Sequence, residues 1–127
     1  MKKNIEETIW DVVVIGGGPA GMMAAGRAAE RGAKVLLIEK NESLGKKLLI
    51  TGGGRCNVTN AELDVRKLLS KFKDSDKFLF SAFSQFAVQN TLEFFNTRWM
   101  ETKHEARERG FPTSAPPTTA WNVLQAY

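Results

Sequence analysis

Two unbroken apolar runs, Val12–Ile15 and Val35–Ile38, flank a stretch in which alanine and glycine recur. Short continuous apolar runs are the mark of strands buried on both faces of a parallel sheet. Between them Ala20, Ala24, Ala25, Gly26, Ala28 and Ala29 make a thin helix, and Gly32 stands where a left-handed residue would end it. The pattern predicts strand, helix and strand over residues 10–40, a Rossmann-like βαβ unit of an α/β fold.

Beyond residue 40 the pattern loosens. Residues 40–47 form a polar loop, Leu48, Leu49 and Ile50 a short apolar run, and residues 51–57 a second glycine-rich loop. Leu63, Leu68, Leu69 and Phe72 recur at roughly helical spacing, which predicts a helix over residues 61–72 capped by Asn60. Residues 74–76 break it, and a further helix covers residues 77–83. Asn90 and Glu93 offer a capping pattern for another that ends near Arg98, closing a helical region of residues 61–98. Phe78, Phe80, Phe83, Phe86, Phe94, Phe95 and Trp99 make this region aromatic, and core packing between helices and sheet is their expected role. Residues 99–103 read as a short strand. Residues 114–117 are extended, because the residue before a proline avoids helical angles, and Thr118 or Thr119 caps a last helix.

No third strong apolar strand follows, although the first strand of this fold normally has neighbours on both sides. The sheet is therefore expected to be incomplete. The chain reads as part of a longer polypeptide, or as one that a partner chain completes.

Composition narrows the class. With 127 residues, 43% hydrophobic and 25% charged, the chain suits one globular domain. The net charge of +4 comes from scattered lysines and arginines, which implies solvated surface and makes a nucleic-acid partner unlikely. Cys56 is the single cysteine, so no intrachain disulfide and no cysteine metal cluster can form, and a reducing cytoplasm is the natural compartment. The uncharged stretch from Val12 to Gly26 is shorter than the roughly 20 residues of a membrane span. Glu6, Glu7 and Asp11 also rule it out as a signal peptide. No membrane association and no metal site are expected.

The chemistry sits where the first strand ends. Gly16, Gly18 and Gly21 fit G-x-G-x-x-G, with Pro19 and Ala20 opening the helix. The first glycine permits the tight turn, the second lets a pyrophosphate approach the backbone, and the third lets helix and strand pack closely. The helix start adds free N–H groups and the positive end of its dipole, and Pro19 has no N–H to lose there. Glu39 ends the second apolar run, 23 residues after Gly16. There a carboxylate accepts from adenosine ribose hydroxyls and repels a 2′-phosphate, which favours FAD or NAD over NADP.

The second glycine cluster is more specific. Residues 45–60, Gly-Lys-Lys-Leu-Leu-Ile-Thr-Gly-Gly-Gly-Arg-Cys-Asn-Val-Thr-Asn, resemble the G-K-K-x-x-x-[ST]-G-x-G-R-C-N-x-[ST]-N segment of a family of bacterial FAD-dependent flavoproteins. That family includes aminoacetone oxidase and a flavoprotein of bile-acid-inducible operons, and belongs to the two-dinucleotide-binding-domain flavoproteins. The resemblance covers the whole chain, which looks like the N-terminal part of longer members. It implies a split FAD domain in which Gly16, Gly18, Pro19, Ala20 and Gly21 hold the pyrophosphate and Glu39 the ribose, with Lys40 beside it. Arg55, Cys56 and Asn57 would lie along the cofactor near the flavin, with Thr51, Gly54 and Lys47 in the same segment. Close backbone approach at the glycines and a forked, permanent cation at Arg55 agree with that placement.

Other residues invite less. Cys56 has no partner cysteine for a redox dithiol and suits a small packing role. His104 lies in a charged stretch and reads as surface. Residues 109–114 resemble the family's G-R-x-F-P-x-S but with glycine and arginine reordered, so no site role is carried from them. The expectation is the FAD-binding segment of a flavin-dependent oxidoreductase acting on a small amine or other small molecule. Its alternatives are an NAD-binding module and a truncated non-catalytic domain that needs a partner chain. An RNA-modifying role follows from fold analogy only.

Overall fold

The computed structural model describes residues 8–105, 109–113 and 118–127. In chain order the elements are β1 (Val12–Ile15), α1 (Pro19–Glu30), β2 (Val35–Ile38), α2 (Lys46–Gly54), β3 (Thr59–Asn60), α3 (Val65–Ser70), a 3-10 turn (Lys73–Ser75), α4 (Asp76–Gln85), α5 (Val88–Asn96), β4 (Thr102–Glu105), β5 (Arg109–Pro112) and α6 (Thr118–Ala126). They divide into two compact units, Met1–Lys46 with Leu124–Tyr127, and Lys47–Val123.

In the first unit β1 and β2 pair in parallel, Val12 opposite Val35 and Ile15 opposite Ile38, with α1 as the crossover between them. Alanine and glycine keep α1 thin enough to bury Met22 and Gly26. Gly26 lies against the ring of Tyr127, which a Cβ there would meet at 2.4 Å, and the Tyr127 hydroxyl donates to Glu30 at 2.7 Å. Arg31 ends the helix and Gly32 follows at φ +89°, the left-handed residue the pattern called for. The strands were expected to be buried on both faces, yet Val13 is 51% and Ile15 85% exposed. Among the described residues this sheet has two strands, so the incompleteness expected from the apolar runs is what the structure shows.

In the second unit β5 lies between β3 and β4, antiparallel to both. Leu68, Val88 and Leu92 form a core on which Phe83 packs, and Leu92 also reaches to 3.7 Å from where a Cβ on Gly110 would stand. Phe94 and Phe95 meet edge to face with centroids 5.2 Å apart, a geometry that the ring quadrupole favours.

Several local expectations shift here. Asn60 does not cap a helix. It is paired in β3, where its side chain accepts from the Glu62 N–H at 2.7 Å, and Asp64 caps the shorter α3 by accepting from the N–H groups of Arg66 and Lys67. α5 begins two residues before Asn90, whose side chain reaches back to the Ala87 N–H at 2.9 Å. Trp99 is not in a strand: it turns the chain at φ +64° and is 98% exposed, and the strand starts at Thr102. The aromatic core expectation fails for Phe78, Phe80, Phe86 and Trp99, which are exposed, and holds for Phe94 and Phe95. Neither Thr118 nor Thr119 precedes α6, since the helix already includes both. Residues 114–117 and the His104 side chain lie outside what is described.

Candidate functional site

The turn after β1 is held from three sides. The Gly16 N–H donates to the Ile38 carbonyl at 2.7 Å, and the Gly45 N–H donates to the Gly17 carbonyl at 2.8 Å. The Gly17 N–H donates to Glu39 Oε2 at 2.7 Å. The loop after β2 therefore folds back onto the turn, and Leu44 closes over Gly17, where a Cβ would stand 2.3 Å from Leu44 Cδ2.

The motif glycines Gly18 and Gly21 differ in what surrounds them. A Cβ on Gly21 would lie 1.8 Å from the Gly16 carbonyl oxygen, so only glycine lets α1 approach the turn this closely. A Cβ on Gly18 would meet nothing within 4 Å. Gly18 is the N-cap of α1, no side chain caps that end, Pro19 occupies the first turn, and no acidic residue lies in that turn. Helix geometry leaves the first-turn N–H groups of Ala20 and Gly21 without helical acceptors. Those donors and the dipole favour an anion beside Gly18.

Glu39 follows β2 directly. Its Oε1 accepts from the Asn41 N–H at 2.8 Å and from the Asn41 side-chain amide. The Asn41 N–H, then the Gly17 N–H, hold this carboxyl below its ordinary range against an opposing effect of burial, so it is an anion at neutral pH. Lys40 is exposed beside it. Thus Gly16, Gly18, Pro19, Ala20, Gly21, Glu39 and Lys40 gather in one unit. Sequence reasoning missed Gly17, Asn41, Leu44 and Gly45; the donation from Asn41 to Glu39 Oε1 needs a loop geometry that no motif carries.

Lys47, Thr51, Gly54, Arg55, Cys56 and Asn57 belong to the other unit. Thr51, at φ −68° and ψ 155°, breaks the helical run of α2, and Gly52 and Gly53 follow in left-handed conformation. The Cys56 N–H returns to the Thr51 carbonyl at 3.0 Å. Gly52 is required by contact: a Cβ there would lie 2.8 Å from both the Asn57 nitrogen and Phe111 Cε1. Phe111 is 1% exposed, and the guanidinium of Arg55 stands 4.4 Å from its ring centroid. With its amide nitrogen turned toward the sheet, Asn57 donates to the carbonyls of Thr59 at 3.1 Å and Gly110 at 3.2 Å. Residues 109–112, which carried no site role in the sequence, are thus the strand on which this loop rests.

Cys56 is fully buried, and burial pushes its thiol above the ordinary range. A protonated, enclosed thiol is a packing group and a poor nucleophile. Lys47, Thr51, Arg55 and Asn57 are exposed.

A family model described as the HI0933-like protein Rossmann domain matches residues 10–126. The chain is 41% identical over 93 residues to the 3-dehydro-bile acid delta(4,6)-reductase of Clostridium scindens, covering 71% of this chain and 22% of that enzyme. It is 34% identical over 92 residues to the ribosomal RNA dihydrouridine synthase of Escherichia coli, covering 72% of this chain and 23% of that enzyme. A match of 43% over 68 residues joins it to the digeranylgeranylglycerophospholipid reductase of Methanosarcina mazei, covering 52% of this chain and 17% of that enzyme. The chain thus spans less than a quarter of the length of these relatives. The resemblance carried by residues 45–60 and the βαβ geometry after β1 agree with the family match: the chain belongs to the HI0933-like Rossmann-domain family.

Proposed function

We propose that this chain is the FAD-binding segment of a flavin-dependent oxidoreductase. The observation that carries the proposal is the open space at Gly18, where a Cβ would meet nothing within 4 Å, beside the uncapped start of α1. Glu39 lies in the same unit at the end of β2. These residues fit the adenosine diphosphate half of such a cofactor. The N–H groups of Ala20 and Gly21 would hold its phosphates, and the Glu39 carboxylate would accept from its ribose. The Gly17 N–H is already committed to Glu39, so it orients the acid and leaves phosphate binding to its neighbours. When bound, the flavin would supply the electron transfer, and the protein position and electrostatics. The names of the relatives, two reductases and a synthase of dihydrouridine, support redox chemistry.

Lys40, Lys47, Thr51, Gly54, Arg55, Cys56 and Asn57 enter the proposal as the remaining cofactor-side positions, with Cys56 contributing backbone only because its side chain is enclosed. The substrate proposed is a small molecule. The exposed side chains of Val13 and Ile15 call for a covering strand or helix, which the remainder of the polypeptide or a partner chain would supply. The lone, buried Cys56 fits a reducing cytoplasm. No described helix is long and apolar enough to cross a membrane.

The test is a titration of the purified protein with FAD and with NAD, followed by flavin absorbance and fluorescence and by calorimetry. FAD uptake that Glu39→Ala weakens supports the proposal. NAD uptake without FAD uptake transfers it to the NAD-binding alternative, and uptake of neither at saturating supply overturns it. RNA binding that weakens steeply with salt would replace the small molecule by a nucleic acid.

A further inference from the structure

We propose that Asn41 is a positioning residue for nucleotide recognition, which orients the Glu39 carboxylate so that one of its oxygens is reserved for the ribose. This inference rests on the nucleotide reading above and extends it to a residue outside both glycine motifs. Glu39 carries its carboxylate on a flexible stem, and at a strand end it is free to adopt several rotamers. Two donors from one residue remove that freedom. The Asn41 N–H and its side-chain amide both fall on Oε1, the first at 2.8 Å. The Gly17 N–H falls on Oε2 at 2.7 Å.

An ionised carboxyl accepts about two hydrogen bonds on each oxygen. With both Asn41 donors on Oε1, an incoming ribose hydroxyl is directed to Oε2, the oxygen already tied to the glycine turn. One carboxylate thereby couples the turn to the sugar. Alanine at position 41 would keep the backbone donor and lose the side-chain one, leaving Oε1 with a vacant acceptor position that competes with Oε2 for the ribose hydroxyl. Aspartate would keep the shape, remove the donor and set a second negative charge beside the first.

The experiment is calorimetric titration of the full chain with ADP and with 2′,3′-dideoxy-ADP, for the wild type, Asn41→Ala, Asn41→Asp, Glu39→Ala and the double variant Glu39→Ala/Asn41→Ala. Asn41→Ala should weaken ADP binding by roughly three- to tenfold, the range expected for one hydrogen bond of ordinary net strength. It should change dideoxy-ADP binding by less than about twofold and add nothing to Glu39→Ala, since residues acting through one another are not additive. Asn41→Asp should weaken ADP binding further than Asn41→Ala. The melting temperatures should agree, which separates positioning from a general loss of structure. Equal losses for the two ligands, full additivity with Glu39→Ala, or no loss on Asn41→Ala would each overturn the role of Asn41 while leaving the nucleotide site in place. Failure of the wild type to bind ADP would overturn both.

Discussion

Gly18 and Gly21 are three residues apart in one motif, and the structure assigns them opposite consequences on substitution. In Gly21→Ala the new Cβ would start 1.8 Å from the Gly16 carbonyl oxygen and 3.5 Å from Val14 Cγ1. The first neighbour is backbone, pinned through the Gly16 N–H to Ile38, so it cannot swing aside as a side-chain tip would. Relieving the contact requires α1 to move away from the turn by more than about 1 Å. Overpacking of this kind costs about 3 kcal/mol at the upper end of its usual range. Replacing glycine by alanine within a helix returns about 1 kcal/mol. The net loss is about 2 kcal/mol, which at a urea slope of about 1.5 kcal/mol/M lowers the unfolding midpoint by about 1.3 M. In Gly18→Ser the side chain enters open space at backbone angles of φ −73° and ψ 178°, which any residue adopts. Serine is a good N-cap, so stability should hold or rise by a few tenths of a kcal/mol. Its hydroxyl would compete for the N–H groups proposed for the phosphates, and ADP binding should fall at least tenfold. Urea unfolding and ADP calorimetry on both variants read the two effects separately. Equal midpoints for the two variants would refute the packing argument. Unchanged ADP affinity in Gly18→Ser would refute the placement of the phosphates.

Three further outcomes follow from the same geometry. Because hydrogen bonds lower the Glu39 pKa in the folded chain, the stability it contributes is present above the unfolded value of about 4.3 and is lost as pH falls through the folded one. Urea unfolding from pH 7 to pH 3 should therefore show the gap between wild type and Glu39→Gln closing below about pH 4. Phe111→Ala should cost about 3–5 kcal/mol, because it empties the floor beneath Gly52 and Arg55, and its near-ultraviolet circular dichroism and urea midpoint would show the loss. Cys56 should react slowly with a thiol reagent in the native protein and rapidly in denaturant, given its complete burial and raised pKa; fast native labelling would contradict the packing role.

The βαβ unit was legible in the sequence because its determinants are local. Two apolar runs, three glycines at fixed offsets and an acid after the second run lie within about thirty residues, and each acts through backbone geometry that a short segment sets for itself. The Asp64 cap shows where such reading slips: Asn60 and Asp64 are equally good caps, and only the pairing of Asn60 with Arg109 in the second sheet gives the helix to Asp64. The exposed Phe78 and the buried Phe94 show the same limit, since hydrophobicity states a preference for burial but not which neighbours a side chain will find.

What the sequence by itself determined is the crossover and the acid at its end. Tertiary structure decided the rest: that residues 109–112 form the central strand beneath the second glycine loop, that Cys56 is enclosed, and that Asn41 grips Glu39. β3 and β5 are too short to show a strand period and pair across some fifty residues of chain, and the Phe111 ring that crowds Gly52, together with the Asn57 nitrogen close by in sequence, arrives from a similar distance. Contacts between segments so far apart are selected by the collective packing of the folded chain, and no local pattern of residue types encodes them.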